Sequence, residues 1–172
     1  TWSTTGYSFA SKSYSETQEI CKAAGLSGIE GAPPLFEGKT DTELEAIGKA
    51  YRDAGLFIET FHLPFSREDD IASFYETVRQ QAVDKTLVWM ERAALVGSTV
   101  GIQHPTTSQF SVDTEGLDTY LRQLGKSLNT LLPEAEKLGF TVAIENMLPS
   151  GGGRLASRPE HFERFIQEFA HP

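Results

Sequence analysis

The sequence lacks several features that would place it in a specialised class of protein. Its single cysteine, Cys21, permits no disulfide within the chain, so a reducing compartment is the default. No apolar run reaches the ~18 residues of a membrane-spanning helix, and no signal peptide is recognisable at the N-terminus. These absences predict a cytoplasmic protein without a membrane segment, the alternative being a protein whose signal peptide has been removed.

Basic residues are also scarce. The 15 lysines and arginines are outnumbered by 24 aspartates and glutamates, which gives a net charge of −9. Nucleic-acid binding relies on basic side chains that neutralise phosphates, so this balance weighs against a nucleic-acid partner, although a local basic patch is compatible with it. The chain has 172 residues, enough for a sizeable core. We expect residues 1–172 to form a single domain.

The most informative stretch is residues 139–149, an apolar run that begins at a glycine, ends at a proline and contains β-branched residues. Such a run is typical of a strand buried on both faces, as in a parallel sheet. Glu145 lies at its C-terminal end, where an ionised carboxylate must be paired or bound to a metal. A salt bridge and a metal site remain equal alternatives for this stretch alone. Alternation places Thr141, Ala143 and Glu145 on one face.

The rest of the chain alternates between strand-like and helix-like segments. Strands are predicted at residues 2–9, 26–31, 56–65, 99–104 and 139–149. Helices are predicted at residues 13–24, 41–54, 69–96, 117–138 and 157–169, with a kink or break at Pro133. This order predicts a parallel α/β sheet with helices outside.

Four polar residues lie at the C-terminal ends of predicted strands: Glu30, His62, His104 and Glu145. Parallel α/β folds place their active sites at that edge of the sheet. Two imidazoles and a carboxylate offer nitrogen and oxygen ligands, which suit Zn²⁺, Mn²⁺ or Fe²⁺ better than Mg²⁺. We therefore predict a divalent metal site formed by His62, His104 and Glu145, the alternative being that each is a structural residue.

The orientation of His104 is left open by the sequence. In a regular strand His104 shares a face with Val100 and Ile102, while Gly101 and Gln103 share the other. Either the valine and isoleucine face points towards the site, or Gln103 does, or a bulge near Gln103 turns the strand.

Several short motifs resemble those of the xylose isomerase-like barrel superfamily. Thr-Phe-His-Leu-Pro around His62, Ile-Gln-His-Pro around His104 and Ala-Ile-Glu-Asn-Met around Glu145 are similar to its third, fourth and fifth strand ends. Gly-Leu-Ser-Gly-Ile-Glu-Gly, which includes Glu30, is similar to its second strand. The superfamily contains sugar and sugar-phosphate isomerases and epimerases, inosose dehydratases and the zinc-dependent apurinic-site endonucleases of family 2. The resemblance covers the whole chain and implies a (β/α)8 TIM barrel.

The resemblance implies a metal-dependent sugar or sugar-phosphate isomerase or epimerase that transfers a proton next to a carbonyl. In the isomerases and epimerases, a glutamate at the position of Glu145 binds a divalent metal and acts in proton transfer. In the endonucleases, histidines at the positions of His62 and His104 bind zinc together with that glutamate. In single-metal relatives the residues near these two histidines more often face substrate. The implied cofactor is Mn, Zn, Fe or Co, the implied partner is a small sugar, and His62, His104, Asn146 and Glu30 are candidate substrate contacts.

The chain departs from the family pattern in length. A TIM barrel typically needs ~250 residues, whereas this sequence supplies five strand–helix units. The family's ligands from the sixth and later strands have no counterpart, and Ala-His-Pro at residues 170–172 resembles the loop before a sixth strand. We therefore expect the N-terminal portion of a barrel, with half a metal site, weak catalysis, and open sheet edges that could pair with another copy.

Two other functions remain open on the sequence. One is a zinc-dependent, apurinic-site endonuclease-like phosphodiesterase, which the metal ligands suit and the acidic balance does not. The other is a non-catalytic binding module derived from the barrel. Arg154, after three glycines, could meet an anionic group, although a solvated loop arginine is the preferred interpretation.

Overall fold

The computed structural model describes residues 2–107, 109–149 and 153–169. The glycine-rich stretch at residues 150–152 and the Ala-His-Pro ending at residues 170–172 lie outside the described residues. The five strands are β1 (Ser3–Thr5), β2 (Gly28–Glu30), β3 (Thr60–His62), β4 (Val100–Gln103) and β5 (Thr141–Ile144). The helices are α1 (Tyr14–Ala23), α2 (Pro33–Phe36), α3 (Asp41–Asp53), α4 (Glu76–Val96), α5 (Val112–Glu115), α6 (Leu117–Leu138) and α7 (Pro159–Phe169), with a 3₁₀ turn at Gly6–Phe9.

The strands are arranged in the order in which they occur in the sequence. β1 pairs with β2 and β3 pairs with β4, both in parallel. β3, β4 and β5 form one three-stranded sheet in that order. Parallel bridges at Gly28–Phe57 and Gly31–Phe61 connect β2 to the β3 segment. Parallel strands alternating with helices confirm the predicted α/β class, and they bring the C-terminal ends of neighbouring strands to one edge.

Local capping explains where the first long helices begin. The hydroxyl of Ser13 accepts a hydrogen bond from the backbone of Glu16, whose carboxylate accepts one from the backbone of Ser13. Thr40 and Glu43 repeat this capping box at α3. The same hydrogen bonds lower the pKa of Glu16 and of Glu43 below their usual value.

Several predicted boundaries were wrong. Residues 69–75 are not helical, and α4 begins only at Glu76. The side chain of Asp70 accepts a hydrogen bond from the backbone of Ala72 at 2.9 Å, a local bond that competes with the helix. α2 lies between the second predicted strand and the second predicted helix, where no helix was predicted. α6 has no break at Pro133.

The chain divides into two compact units. The first comprises the chain up to Leu63, together with Val88–Ile102 and Ala135–Val142. The second comprises Pro64–Leu87, Gln103–Glu134 and the chain from Ala143 onwards.

The first unit is built around stacked aromatic rings. Successive ring centroids lie 5.8–6.4 Å apart along the row Tyr14, Phe36, Phe61 and Trp89. The guanidinium of Arg92 lies 4.9 Å from the ring of Trp89 and donates a hydrogen bond to the carbonyl of Phe36 at 2.8 Å. This row fixes α4 against α2 and supports the strand that carries His62.

The second unit is built around leucines of α6: Leu121, Leu124, Leu128 and Leu131. A chain of hydrogen bonds links two of its buried polar side chains to the backbone. The guanidinium of Arg79 donates to the hydroxyl of Ser127 at 2.9 Å, and that hydroxyl donates to the carbonyl of Ile71 at 2.6 Å. Arg79 also pairs with Glu76 and lowers the pKa of its carboxyl to about 2.

Among the described residues, none of the helices combines the length and the apolar character that a membrane span requires.

Candidate functional site

The register between β3 and β4 answers the question about His104. His62 pairs with Ile102 in the parallel ladder, so their side chains lie on the same face. Alternation continues this face to His104. Gly101 is buried and Gln103 is 0% exposed on the opposite face. β4 is therefore regular, and its valine and isoleucine face carries the histidine.

The ladder between β4 and β5 places Glu145 beside His104. The backbone N–H of Glu145 donates to the carbonyl of Gln103 at 3.0 Å, one step beyond the end of β5. Ile144 points the other way, into an apolar pocket lined by α6 and α7. His104 Nε2 lies 2.7 Å from Glu145 Oε2. The acid thus lies at a strand end beside an imidazole, in the pattern that the sequence predicted.

An aromatic ring covers this pair. The ring of Phe65 stacks on that of His104, with the centroids 3.9 Å apart and the planes 15° from parallel. The side chain of His104 is 16% exposed and that of Glu145 is 37% exposed. Phe65 therefore limits the contact of the imidazole with water, while the carboxylate keeps access from outside.

A second histidine–carboxylate pair lies at the ends of β2 and β3. His62 Nδ1 is 3.2 Å from Glu30 Oε1. The ring of Tyr7 approaches that of His62 edge-on, with the centroids 5.9 Å apart. Burial and, to a smaller extent, the Glu30 carboxylate raise the pKa of Tyr7. A carboxylate on Nδ1 fixes the tautomer and orientation of an imidazole, which is the usual outer-shell arrangement for a metal-binding histidine.

The donor set fits a divalent transition metal. His104 and Glu145, both in the second unit, each offer one ligand atom. His62, the third predicted ligand, belongs to the first unit. Nitrogen and oxygen ligands bound at ~2.0–2.2 Å to one ion lie about 3 Å apart, and the 2.7 Å between His104 and Glu145 is close to that spacing. Two imidazoles and a carboxylate suit Zn²⁺, Mn²⁺, Fe²⁺ or Co²⁺.

The remaining predicted contacts divide into two kinds. Asn146 is exposed directly after Glu145, where it could meet a ligand. Glu30 instead contacts His62. Phe65 and Tyr7 were not predicted from the sequence, because ring contacts with a histidine depend on how loops fold over the sheet. The position of Phe65 three residues after His62 was the available signal.

His104 also lines an open cleft in the second unit. The cleft has a volume of about 270 Å³, and its walls include Phe65, Arg67, Thr107, Met147 and Arg154. This volume is near the lower end of ~300–1,000 Å³ for small-molecule sites, so it suits a ligand the size of a monosaccharide.

The fold and this edge of the sheet define a known class. The profile of the xylose isomerase-like TIM barrel family matches residues 18–172. The chain belongs to this family.

Solved structures of sugar epimerases share the fold. A D-tagatose 3-epimerase-like protein is 21% identical with a TM-score of 0.75, over 99% of this chain and 62% of that one. A 3-keto-D-glucoside 4-epimerase from E. coli is 20% identical with a TM-score of 0.74, over 90% and 59%. A D-psicose 3-epimerase from Clostridium cellulolyticum H10, solved with D-tagatose, is 14% identical with a TM-score of 0.79, over 99% and 61%.

This chain thus spans about three fifths of the length of these structures, as a partial barrel would. No curated protein sequence matches it significantly.

Proposed function

We propose that this protein is a metal-dependent sugar or sugar-phosphate isomerase or epimerase, which moves a proton on a carbon next to a carbonyl. The observation that carries the proposal is the approach of His104 Nε2 to Glu145 Oε2, at 2.7 Å, at the C-terminal edge of a parallel sheet. The edge is where the active sites of such folds lie. Three structures that share the fold are those of two sugar epimerases and of a protein similar to one.

Each residue has a distinct task in this proposal. A divalent cation held by Glu145, His104 and His62 would act as a Lewis acid on the substrate carbonyl. Glu145 removes or returns the proton at the adjacent carbon, because a partly exposed carboxylate can reach a bound ligand. Glu30 holds the ring of His62, and Phe65 keeps water from one side of His104. Asn146 contacts a sugar hydroxyl.

Epimerisation also needs an acid–base group on the opposite face of the reacting carbon. The family resemblance assigns this group to a later strand of the barrel, so the proposal concerns the whole protein. The assay therefore uses the complete gene product.

Deuterium exchange tests the reaction directly. The protein is incubated in D₂O with ketohexoses and their phosphates, with Mn²⁺, Co²⁺, Zn²⁺ or Fe²⁺ supplied in turn. We expect deuterium at the carbon next to the carbonyl, detected by NMR, with loss of exchange in a chelator and recovery when the metal is returned. Absence of exchange with every ketose and every metal would contradict the proposal.

A further inference from the structure

Arg154 is held in one place although it follows a run of glycines. The carbonyl of Gly153 accepts a hydrogen bond from the backbone of Val112 at 2.8 Å. The carbonyl of Arg154 itself accepts one from the hydroxyl of Ser157 at 2.5 Å. The next residue, Leu155, is 0% exposed. Because the backbone is hydrogen-bonded at Gly153 and at Arg154, the position of the Arg154 Cα atom is fixed.

That side chain lines the cleft that contains His104. The Nε of Arg154 is buried and has no hydrogen-bond partner among the residues that the structure describes. A buried guanidinium N–H without an acceptor is unfavourable. From the sequence, Arg154 was expected to be a solvated loop residue, but its Nε atom is buried. A ligand in the cleft would supply the acceptor.

Arginines are among the described residues that line the cleft, and no carboxylate is among them. Arg67 is exposed and also lines it. Carboxylates close to the cleft have partners. Asp69 pairs with Lys85 at 2.9 Å, Asp70 accepts from the backbone and hydroxyl of Thr107 at 3.1 and 2.9 Å, and Glu145 lies 2.7 Å from His104. Asp70 thereby fixes Thr107 in the cleft wall. Two guanidinium groups therefore face a small cavity in a protein whose net charge is −9.

We infer that this cleft binds an anionic group of the substrate, so that the enzyme acts on a phosphorylated or carboxylated sugar rather than a neutral one. Arg154 contacts the anion and Arg67 attracts it at the mouth of the cleft. A guanidinium suits both groups, because its N–H donors match two oxygens of a phosphate or a carboxylate. The inference rests on the proposed function and names the substrate class of that site.

Calorimetric titration tests the inference without turnover. The probes are inorganic phosphate, D-fructose 6-phosphate, D-galacturonate and D-fructose. We expect an anionic sugar to bind at least ~10-fold more tightly than D-fructose. Tighter binding of D-fructose 6-phosphate would identify a phosphate site, and tighter binding of D-galacturonate a carboxylate site.

Substitutions test whether Arg154 causes the tighter binding of the anionic probes. Arg154→Gln should weaken binding of the anionic probes about 10- to 100-fold, the loss of one charge-assisted hydrogen bond, while Arg154→Lys should lose less. Arg158→Gln is the matched control, because Arg158 pairs with Asp113 and does not line the cleft. Should Arg154→Gln fail to fold, Arg67→Gln at an exposed position should still weaken these probes.

Equal binding of neutral and anionic sugars, or unchanged phosphate binding in both arginine variants, would overturn the inference. Exchange of deuterium into neutral ketoses alone would overturn it while upholding the proposed function. Anion binding that depends on Arg154, without any exchange, would refute the proposed function and leave the anion site established.

Discussion

The two histidine–carboxylate pairs at the sheet edge are built differently. His62 presents Nδ1 to Glu30, which ends the preceding strand β2. His104 presents Nε2 to Glu145, which follows the next strand β5. The two acids are 23% and 37% exposed respectively.

This difference indicates that one pair orients a histidine ring and the other carries out proton transfer. Tyr7 and Glu30 surround His62, so that pair is suited to holding an imidazole still. The pair formed by His104 and Glu145 instead has one ring face covered by Phe65, and His104 opens onto a cleft. We therefore assign proton transfer to the second pair and support of the imidazole to the first.

The largest expected effect is at Glu145. Glu145→Gln keeps the shape but removes the proton acceptor and the negative ligand, so kcat should fall about 10²- to 10⁴-fold. Deuterium exchange and steady-state kinetics measure it, with Glu163→Gln on the exposed side of α7 as the control. An unchanged kcat would remove Glu145 from the mechanism.

Glu30→Gln should have a smaller effect of another kind. Loss of the carboxylate on His62 Nδ1 should weaken metal affinity by about 10- to 100-fold, while kcat at saturating metal changes little. Competition with a chelating dye measures the affinity. If kcat at saturating metal falls as far as in Glu145→Gln, the two pairs do not have separate tasks.

Phe65→Leu should act on the second pair alone. Replacing the ring removes the stacking on His104 while leaving an apolar cover, and it should change KM by about 2- to 10-fold. Metal affinity is the readout that should stay constant. A large loss of metal affinity would mean that Phe65 supports His104 as a metal ligand and does not act on substrate binding.

The smallest effect concerns a third histidine, which has no carboxylate contact of this kind. His161 in α7 is 2% exposed, and its Nδ1 has no hydrogen-bond partner among the described residues. Burial, followed by Arg158, lowers the pKa of His161 below its ordinary 6.5. The unfolded chain therefore binds this proton more readily.

The free energy of unfolding should consequently fall as the pH drops through 6.5 and on towards the lowered pKa of the folded state. Chemical denaturation at a series of pH values measures this. His161→Leu should flatten that part of the profile, and an identical slope in the variant would show that other groups cause it.

The sequence predicted the strand ends well because a polar residue after an apolar run marks them. Glu30, His62, His104 and Glu145 all lie at or just after such ends. It could not orient His104, since alternation alone does not say which face is covered by helices. That information comes from the register, which puts His62 opposite Ile102, and from the burial of Phe61 and Gln103 on the other face.

Other features depend on contacts between distant residues. Asp70 replaced the first turns of a predicted helix by local bonds and by bonds to Thr107. Arg154 was predicted to be solvated because its glycine-rich surroundings suggest mobility. Its anchoring by Val112 and Ser157 is a tertiary arrangement, which composition does not reveal.

Cobalt titration followed by visible absorbance tests the central claim, that His104 and Glu145 with His62 bind one divalent cation. The account predicts saturable Co²⁺ binding that His104→Gln weakens by at least ~10-fold and that His161→Gln leaves unchanged. Equal Co²⁺ binding by the His104→Gln variant and the unaltered protein, or no saturable binding at all, would contradict it.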